Sequence, residues 1–301
     1  MAVQIMNNYI DLHMHSMYSD DGEFTPKELV KMCHSAGVSI MAITDHNWVK
    51  AIDEEKSEAL LLDIKVIPAI EIDCVFKNVN LHVLGYGIDT ENSSFNMLGE
   101  NILRQELESS ERKLRLTNAM GFQITEEQMN SYSSNGVYTG EMFGEALLKD
   151  ERYFENDLLK PYRAGGIRSD NPYVNFYWDY YSQGKLCYTK IAYPSMEETI
   201  ELIRENGGMA VLAHPGNNLK NQFHLLDEMV KKGMQGVEAF SSYHTAETNE
   251  YFYNKAKELN IVYTCGSDFH GKTKPAIHLG KTGCEFDEHE IEHELIRNNL
   301  I

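Results

Sequence analysis

This chain is poor in the features that would place it quickly. It has five cysteines, Cys33, Cys74, Cys187, Cys265 and Cys284, an odd number with no Cys-x-x-Cys pair. That spacing argues against a disulfide framework and a thiolate zinc site, and it fits free thiols in a reducing cytoplasm. No run of about eighteen apolar residues occurs, so no transmembrane helix is expected. The opening MAVQIMNNYIDLH lacks a basic region followed by an apolar one, so no signal peptide is expected. Basic charge is scarce as well: 27 Lys and Arg stand against 46 Asp and Glu, a net charge of −19. Such a surface repels a polyanion, which disfavours long nucleic acid as a partner. A small anionic substrate stays open, because bound cations reverse the potential locally.

What is present suits a single α/β domain with room for an insertion. The chain has 301 residues, 42% of them hydrophobic. An apolar run, Val3 to Ile10, reads as a strand leading into Asp11-Leu12-His13-Met14-His15-Ser16. On a strand, alternate side chains share a face, so Asp11, His13 and His15 point the same way. Thr25-Pro26 reads as an N-cap and first helical residue, and Gly37 as the stop. Val38 to Thr44 reads as a buried strand ending in Asp45-His46-Asn47. A helix follows, then a strand over 64–73 carrying Glu71 and another over 80–86 carrying His82. Alternating strands and helices predict a parallel sheet, whose active groups collect at the carboxyl ends of the strands.

Between about 96 and 195 the pattern changes to polar helices and a stretch rich in Tyr, Phe and Trp. This predicts a mostly helical inserted subdomain (96–195) between two parts of a barrel, 1–95 and 196–301. The strand–helix alternation then resumes, with His214, His244, Asp268 and His270 at strand ends.

The strand-end residues His13, His15, Asp20, His46, Glu71, His82, His214, Asp268 and His270 form a set of nitrogen and oxygen donors fit for two or three divalent ions. With no thiolate among them, Zn, Mn and Fe all remain open. Asp11 and Asp45, each near a ligand, suit carboxylates that orient imidazoles. His244 is a candidate for substrate contact or for proton donation to a leaving group. Lys272 and Lys274, in a loop, are candidates for phosphate contact. The aromatic residues Tyr173, Phe176, Tyr177, Trp178, Tyr180 and Tyr181 can stack a base or, at their near-helical spacing, build a subdomain core.

The motifs DLHMHS, ITDHN, the lone Glu71, LHVLGY, AHPG and GSDFHG resemble the PHP (polymerase and histidinol phosphatase) superfamily. The resemblance covers about 1–90 and 195–285. It points to the stand-alone metal-dependent phosphoesterases, similar to nucleoside 3′,5′-bisphosphate phosphatases and 5′–3′ exoribonucleases. It implies a distorted (β/α)7 barrel with a helical insertion. It also implies a first metal site of His13, His15, Glu71 and Asp268, and a second of Glu71, His82 and His214. Asp20, His46 and His270 match a third. The activity implied is hydrolysis of a phosphomonoester of a nucleotide or similar metabolite by a metal-bridging hydroxide. The alternatives are a 5′–3′ exonuclease on short oligonucleotides, a metal-binding module without turnover, and a histidinol phosphatase. One departure stands out. Where this branch has Arg and His at a helix start in the insertion, this chain has Glu141 and Phe143. Arg163, Arg168 or Lys190 would have to replace the lost phosphate contact.

Overall fold

The computed structural model describes residues 8–133 and 135–301, so the Val3–Asn7 part of the expected first strand lies outside it. Strand β1 (Ile10–Met14) is the motif itself rather than the run before it. All five of its residues are buried, so the alternation separates two interiors: Ile10, Leu12 and Met14 pack into apolar cores, while Asp11 and His13 face polar partners. It pairs in parallel with β2 (Ile40–Ile43), which pairs with β3 (Lys65–Val66). Five further strands form a second sheet in the order β4 (Ala69–Phe76), β5 (Val79–Tyr86), β6 (Met209–Leu212), β7 (Gly236–Ser241) and β8 (Val262–Gly266).

The strands do not close into the expected (β/α)7 barrel. Within the mixed α/β architecture, the single strand expected over 64–73 is divided at Pro68, which has no N–H to give a ladder. β4 and β5 then form an antiparallel hairpin, and β5 also runs antiparallel to β6. The hairpin turns on Lys77 and Asn78, both at positive φ (49° and 65°), as a two-residue turn of right-handed twist requires. A single apolar cluster, including Ile10, Leu12, Ile70, Leu84, Leu212 and Val237, joins the two sheets from within. At one rim they are also linked by isolated bridges, Met14 to Phe269 and His46 to Glu71.

Helix α1 (Pro26–Ala36) starts as the sequence predicts. Thr25 caps the amide of Glu28, Glu28 returns the bond, and Gly37 ends the helix at φ 86°. α2 (Ile52–Leu61) follows β2. From β5 the chain enters α3 (Ser94–Ala119), α4 (Glu126–Asn130), α5 (Gly140–Lys149) and α6 (Pro172–Tyr180). These helices have an apolar cluster of their own, centred on Phe143, Leu147, Phe176 and Tyr181. The outer helices of the second half are α7 (Met196–Glu205), α8 (Pro215–Leu219), α9 (Leu225–Lys231), α10 (Ala246–Leu259) and α11 (Glu288–Arg297). No helix among the described residues is long and apolar enough to cross a membrane.

Candidate metal centre

At the bridged rim, four side-chain atoms converge. His13 Nε2 lies 3.2 Å from both Glu71 Oε2 and Asp268 Oδ1, and His15 Nε2 lies 3.1 Å from each. The two Nε2 atoms are 3.2 Å apart. The outer ring nitrogens decide what these atoms carry. His13 Nδ1 donates to Glu238 Oε1 (2.9 Å), a carboxylate able only to accept. His15 Nδ1 donates to Ser19 Oγ (2.9 Å), which donates onward to Asp45 Oδ1 (3.0 Å). With the imidazoles neutral, both Nε2 atoms are therefore lone pairs facing two carboxylate oxygens. Four acceptors have met with no donor between them. Edges near 3.2 Å suit a tetrahedron of ligands about 2.0 Å from a central zinc-like ion.

Glu71 extends the site. Its other oxygen, Oε1, lies 3.0 Å from His82 Nδ1 and 3.1 Å from His214 Nε2. His214 Nδ1 is held by Asn218 Oδ1 at 2.5 Å, which turns Nε2 inward. A third group unites His15, His46 and His270. His270 Nδ1 donates to the Asp268 carbonyl (2.9 Å), leaving Nε2 buried without a hydrogen-bond partner. Glu71 Oε2, Asp268 Oδ1 and His46 Nδ1 are likewise buried and unpartnered. Buried polar atoms normally find a partner, so a cluster of orphans is a fit for cations.

Electrostatics agree. Burial opposes charge on His13, but the carboxylates of Glu71, Glu238 and Asp268 outweigh it and push its pKa well up. Burial likewise opposes ionisation of Glu71, and His13, His82 and His46 hold its pKa well below the usual range. The centre calls for positive charge, which a divalent ion supplies better than a proton. Two of the participating residues hold uncommon backbone: His214 (φ 23°) and Asp268 (φ 57°) are non-glycine residues at positive φ. Such strain persists where the surroundings over-determine it.

A PHP domain model matches residues 11–209. The chain belongs to the PHP family. It is a hydrolase, as its named relatives in that family are. A phosphoribosyl 1,2-cyclic phosphate 1,2-diphosphodiesterase of Eggerthella lenta is 26% identical, covering 90% of this chain and 97% of its own. A 3′,5′-nucleoside bisphosphate phosphatase of Chromobacterium violaceum is 25% identical, covering 91% of each. The 5′–3′ exoribonuclease Rnm of Escherichia coli is 26% identical, covering 90% and 88%. In fold, the chain is similar to a Bifidobacterium adolescentis protein assigned as a metal-dependent phosphoesterase, with TM-score 0.76, 24% identity and 96% of both chains covered.

Beside the PHP rim lies a cleft of about 490 Å³ between the strands and the helical segment. Several expected contacts do not reach it. His244 is turned into the wall: Nε2 accepts from the Gly216 amide (3.0 Å), and Nδ1 faces the Ala239 carbonyl and Asn249, both at 3.2 Å. It has no ring atom left for substrate or leaving group, and its neighbour Tyr243 lines the cleft instead. Lys272 is exposed outside the cleft, its amide tied to Glu23, and Lys274 lines it instead, 2.8 Å from Asp268 Oδ2. Arg168 is spent on a two-pronged pair with Asp179, at 3.0 and 3.1 Å. Arg163 donates to the Leu148 and Tyr153 carbonyls, and Lys190 is exposed away from the cleft.

Asp20 also differs. Its carboxylate accepts from Asn135 (2.6 Å), and the adjacent Asp21 is the carboxylate facing His270 Nε2, at 3.3 Å. Two aspartates in tandem gave the sequence no means of choosing. Asp45 orients His15 through Ser19, whereas Asp11 accepts backbone amides of Ser267 (2.9 Å) and Gly280 (2.8 Å) and holds loops rather than a ring. Glu238 went unnoticed in the sequence. It is fully buried mid-strand in β7, and it binds both His13 and the amide of His214 (2.6 Å). Its signal was available: a lone carboxylate at Gly-Val-Glu-Ala-Phe, inside an otherwise apolar strand.

Proposed function

We propose that this PHP hydrolase is a metal-dependent phosphoesterase acting on a phosphomonoester of a nucleotide or similar small metabolite. The observation that carries the reading is the convergence of His13 Nε2, His15 Nε2, Glu71 Oε2 and Asp268 Oδ1 within 3.2 Å of one another across the His–carboxylate contacts. These would hold one ion. Glu71, His82 and His214 would hold a second, and His46, His270 and the Asp21 carboxylate a third. Divalent ions so held would supply a hydroxide near neutral pH and draw charge from the phosphoryl oxygens.

The chain's own part is positioning. Tyr243 donates to Asp268 Oδ2 (2.6 Å) from one side and Lys274 from another, so that Oδ1 stays turned to the centre. Glu238 fixes the tautomer of His13, and Ser19 that of His15. Ser16 offers no rival nucleophile: it is fully buried and does not line the cleft, its hydroxyl donating to Asp45 Oδ2 at 2.6 Å. The cleft that would receive a phosphate ester is lined by His46, His82, His214 and Asp268 of this rim.

A second reading, an exonuclease on short oligonucleotides, is favoured by the exoribonuclease relatives. Elemental analysis of the purified protein, followed by a phosphate-release screen with Mn²⁺, separates the possibilities. Expected are bound divalent metal and release from a mononucleotide. Release only from oligonucleotide ends would support the second reading. Metal content near zero would return the protein to a binding module without turnover.

A further inference from the structure

The charge along the cleft restricts what the rest of the substrate carries. Three lysines line it, and two of them are paired with carboxylates. Lys274 is paired with Asp268, and Lys113 with Glu106 (3.1 Å) and the Tyr138 carbonyl (3.2 Å). Lys220 sits 5.3 Å over the Trp178 ring. Among the described residues no arginine lines the cleft. The start of α5 points into it, and a helix start with free amides commonly receives a phosphate. Here Glu141, 8% exposed and in the first turn, occupies that position with its own carboxyl group, whose pKa burial pushes up to about 7 against the opposing hydrogen bonds of its own amide and Thr139. It makes no ion pair with any described basic residue, and Asp21 adds negative charge nearby.

From this we infer that Glu141 makes the cleft select a substrate with a single phosphate whose remaining part bears no second anion, a nucleoside monophosphate rather than a nucleoside bisphosphate. This rests on the phosphoesterase reading but goes beyond it, because it names what the enzyme rejects. The rejecting element is a placed repulsion, which gives discrimination without any tighter contact to the accepted ligand. Tyr177 and Trp178, which face the cleft from α6, leave an apolar surface for a neutral ring.

The test measures binding and turnover side by side at pH 8, where Glu141 is ionised. Calorimetric titration of the metal-loaded protein with the non-hydrolysable phosphonate analogues of a nucleoside 5′-monophosphate and of the matching 3′,5′-bisphosphate should favour the monophosphate analogue by about tenfold or more. The ratio of kcat/KM should follow it. Glu141→Arg should move both ratios towards the bisphosphate, and the near-isosteric Glu141→Gln should move them part of the way. Wild-type protein that binds the bisphosphate as well as the monophosphate overturns the inference. So do two folded variants with unchanged ratios. Because binding is read without turnover, a protein that binds as expected yet releases no phosphate would sink the phosphoesterase reading and leave the selectivity standing.

Discussion

The strand rim and the helical segment are built by different rules. At the rim, most ligands sit at or just beyond the carboxyl end of a strand, with Glu71 near the start of β4 and His82 midway along β5, and the backbone sets their direction: His13 and His15 share a face because a strand alternates. In the helical segment the helices pack on one another, and no backbone period marks which side chains face the cleft. Phe176 and Tyr181 are buried in that cluster, while their neighbours Tyr177 and Trp178 line the cleft. Chemistry that hangs on a regular scaffold can be read from spacing. Selectivity that hangs on tertiary packing cannot.

That contrast can be broken from the rim side first. His13→Ala removes one of the four converging acceptors and leaves Glu238 buried without its imidazole partner. Metal-dependent phosphate release should fall by about 10²–10³-fold or more, with less metal retained after dialysis. Full activity in a folded His13→Ala protein would mean that the rim is not the reaction centre. The helical side predicts the converse. Phe143 stacks on Tyr181 with centroids 5.3 Å apart and is fully buried. Phe143→Ala should cost about 3–5 kcal/mol in denaturant unfolding, with metal stoichiometry unchanged in the protein that remains folded. Loss of metal in proportion to loss of stability would show that the two regions act as one unit.

The same division explains what the sequence revealed. Eight of the nine donors expected from strand ends do assemble at one rim, where the comparison is helped by their falling in short motifs. Asp20 fails because a turn, not a strand, carries it, and a turn of Ser-Asp-Asp-Gly can present either carboxylate. His244 fails for a related reason. It lies at a strand end as expected, but the Gly216 amide reaches it across the fold, a contact between distant segments that no local pattern records. The closed barrel fails at Pro68, which lies inside the strand expected over 64–73, and at the Lys77-Asn78 turn, which lies between the strands expected over 64–73 and 80–86 and pairs them antiparallel.

Glu238 gives a finer test of the rim. It touches His13 and the His214 amide but none of the four converging atoms. Glu238→Gln should preserve the fold and weaken metal binding by about 10–100-fold, through loss of the charge that fixes the His13 tautomer. Metal titration by competition with a chelator reads this directly. An unchanged affinity would show that packing alone orients His13.

The smallest expected effect concerns a carboxylate that serves neither region's chemistry. Glu55 on α2 is fully buried, with Oε1 accepting from the Ile43 amide (2.9 Å) and Oε2 without a partner. Burial raises its pKa well above the ordinary value, and the Asp45 charge adds to this while the Ile43 bond opposes it. For an acid raised in the folded state, folding takes up a proton that the unfolded chain has released. Stability is therefore lost as pH rises through the unfolded pKa, and the loss grows until the folded pKa is passed. Gln at 55 has no charge to bury. Glu55→Gln should match the wild type near pH 4 and exceed it at pH 8, by on the order of 1–3 kcal/mol in denaturant unfolding. A gap that is equal at both pH values would mean that the effect is one of packing. A lower stability at pH 8 would mean that the ionised carboxylate is a net stabiliser of β2, and that buried charge is tolerated here well away from the ligands.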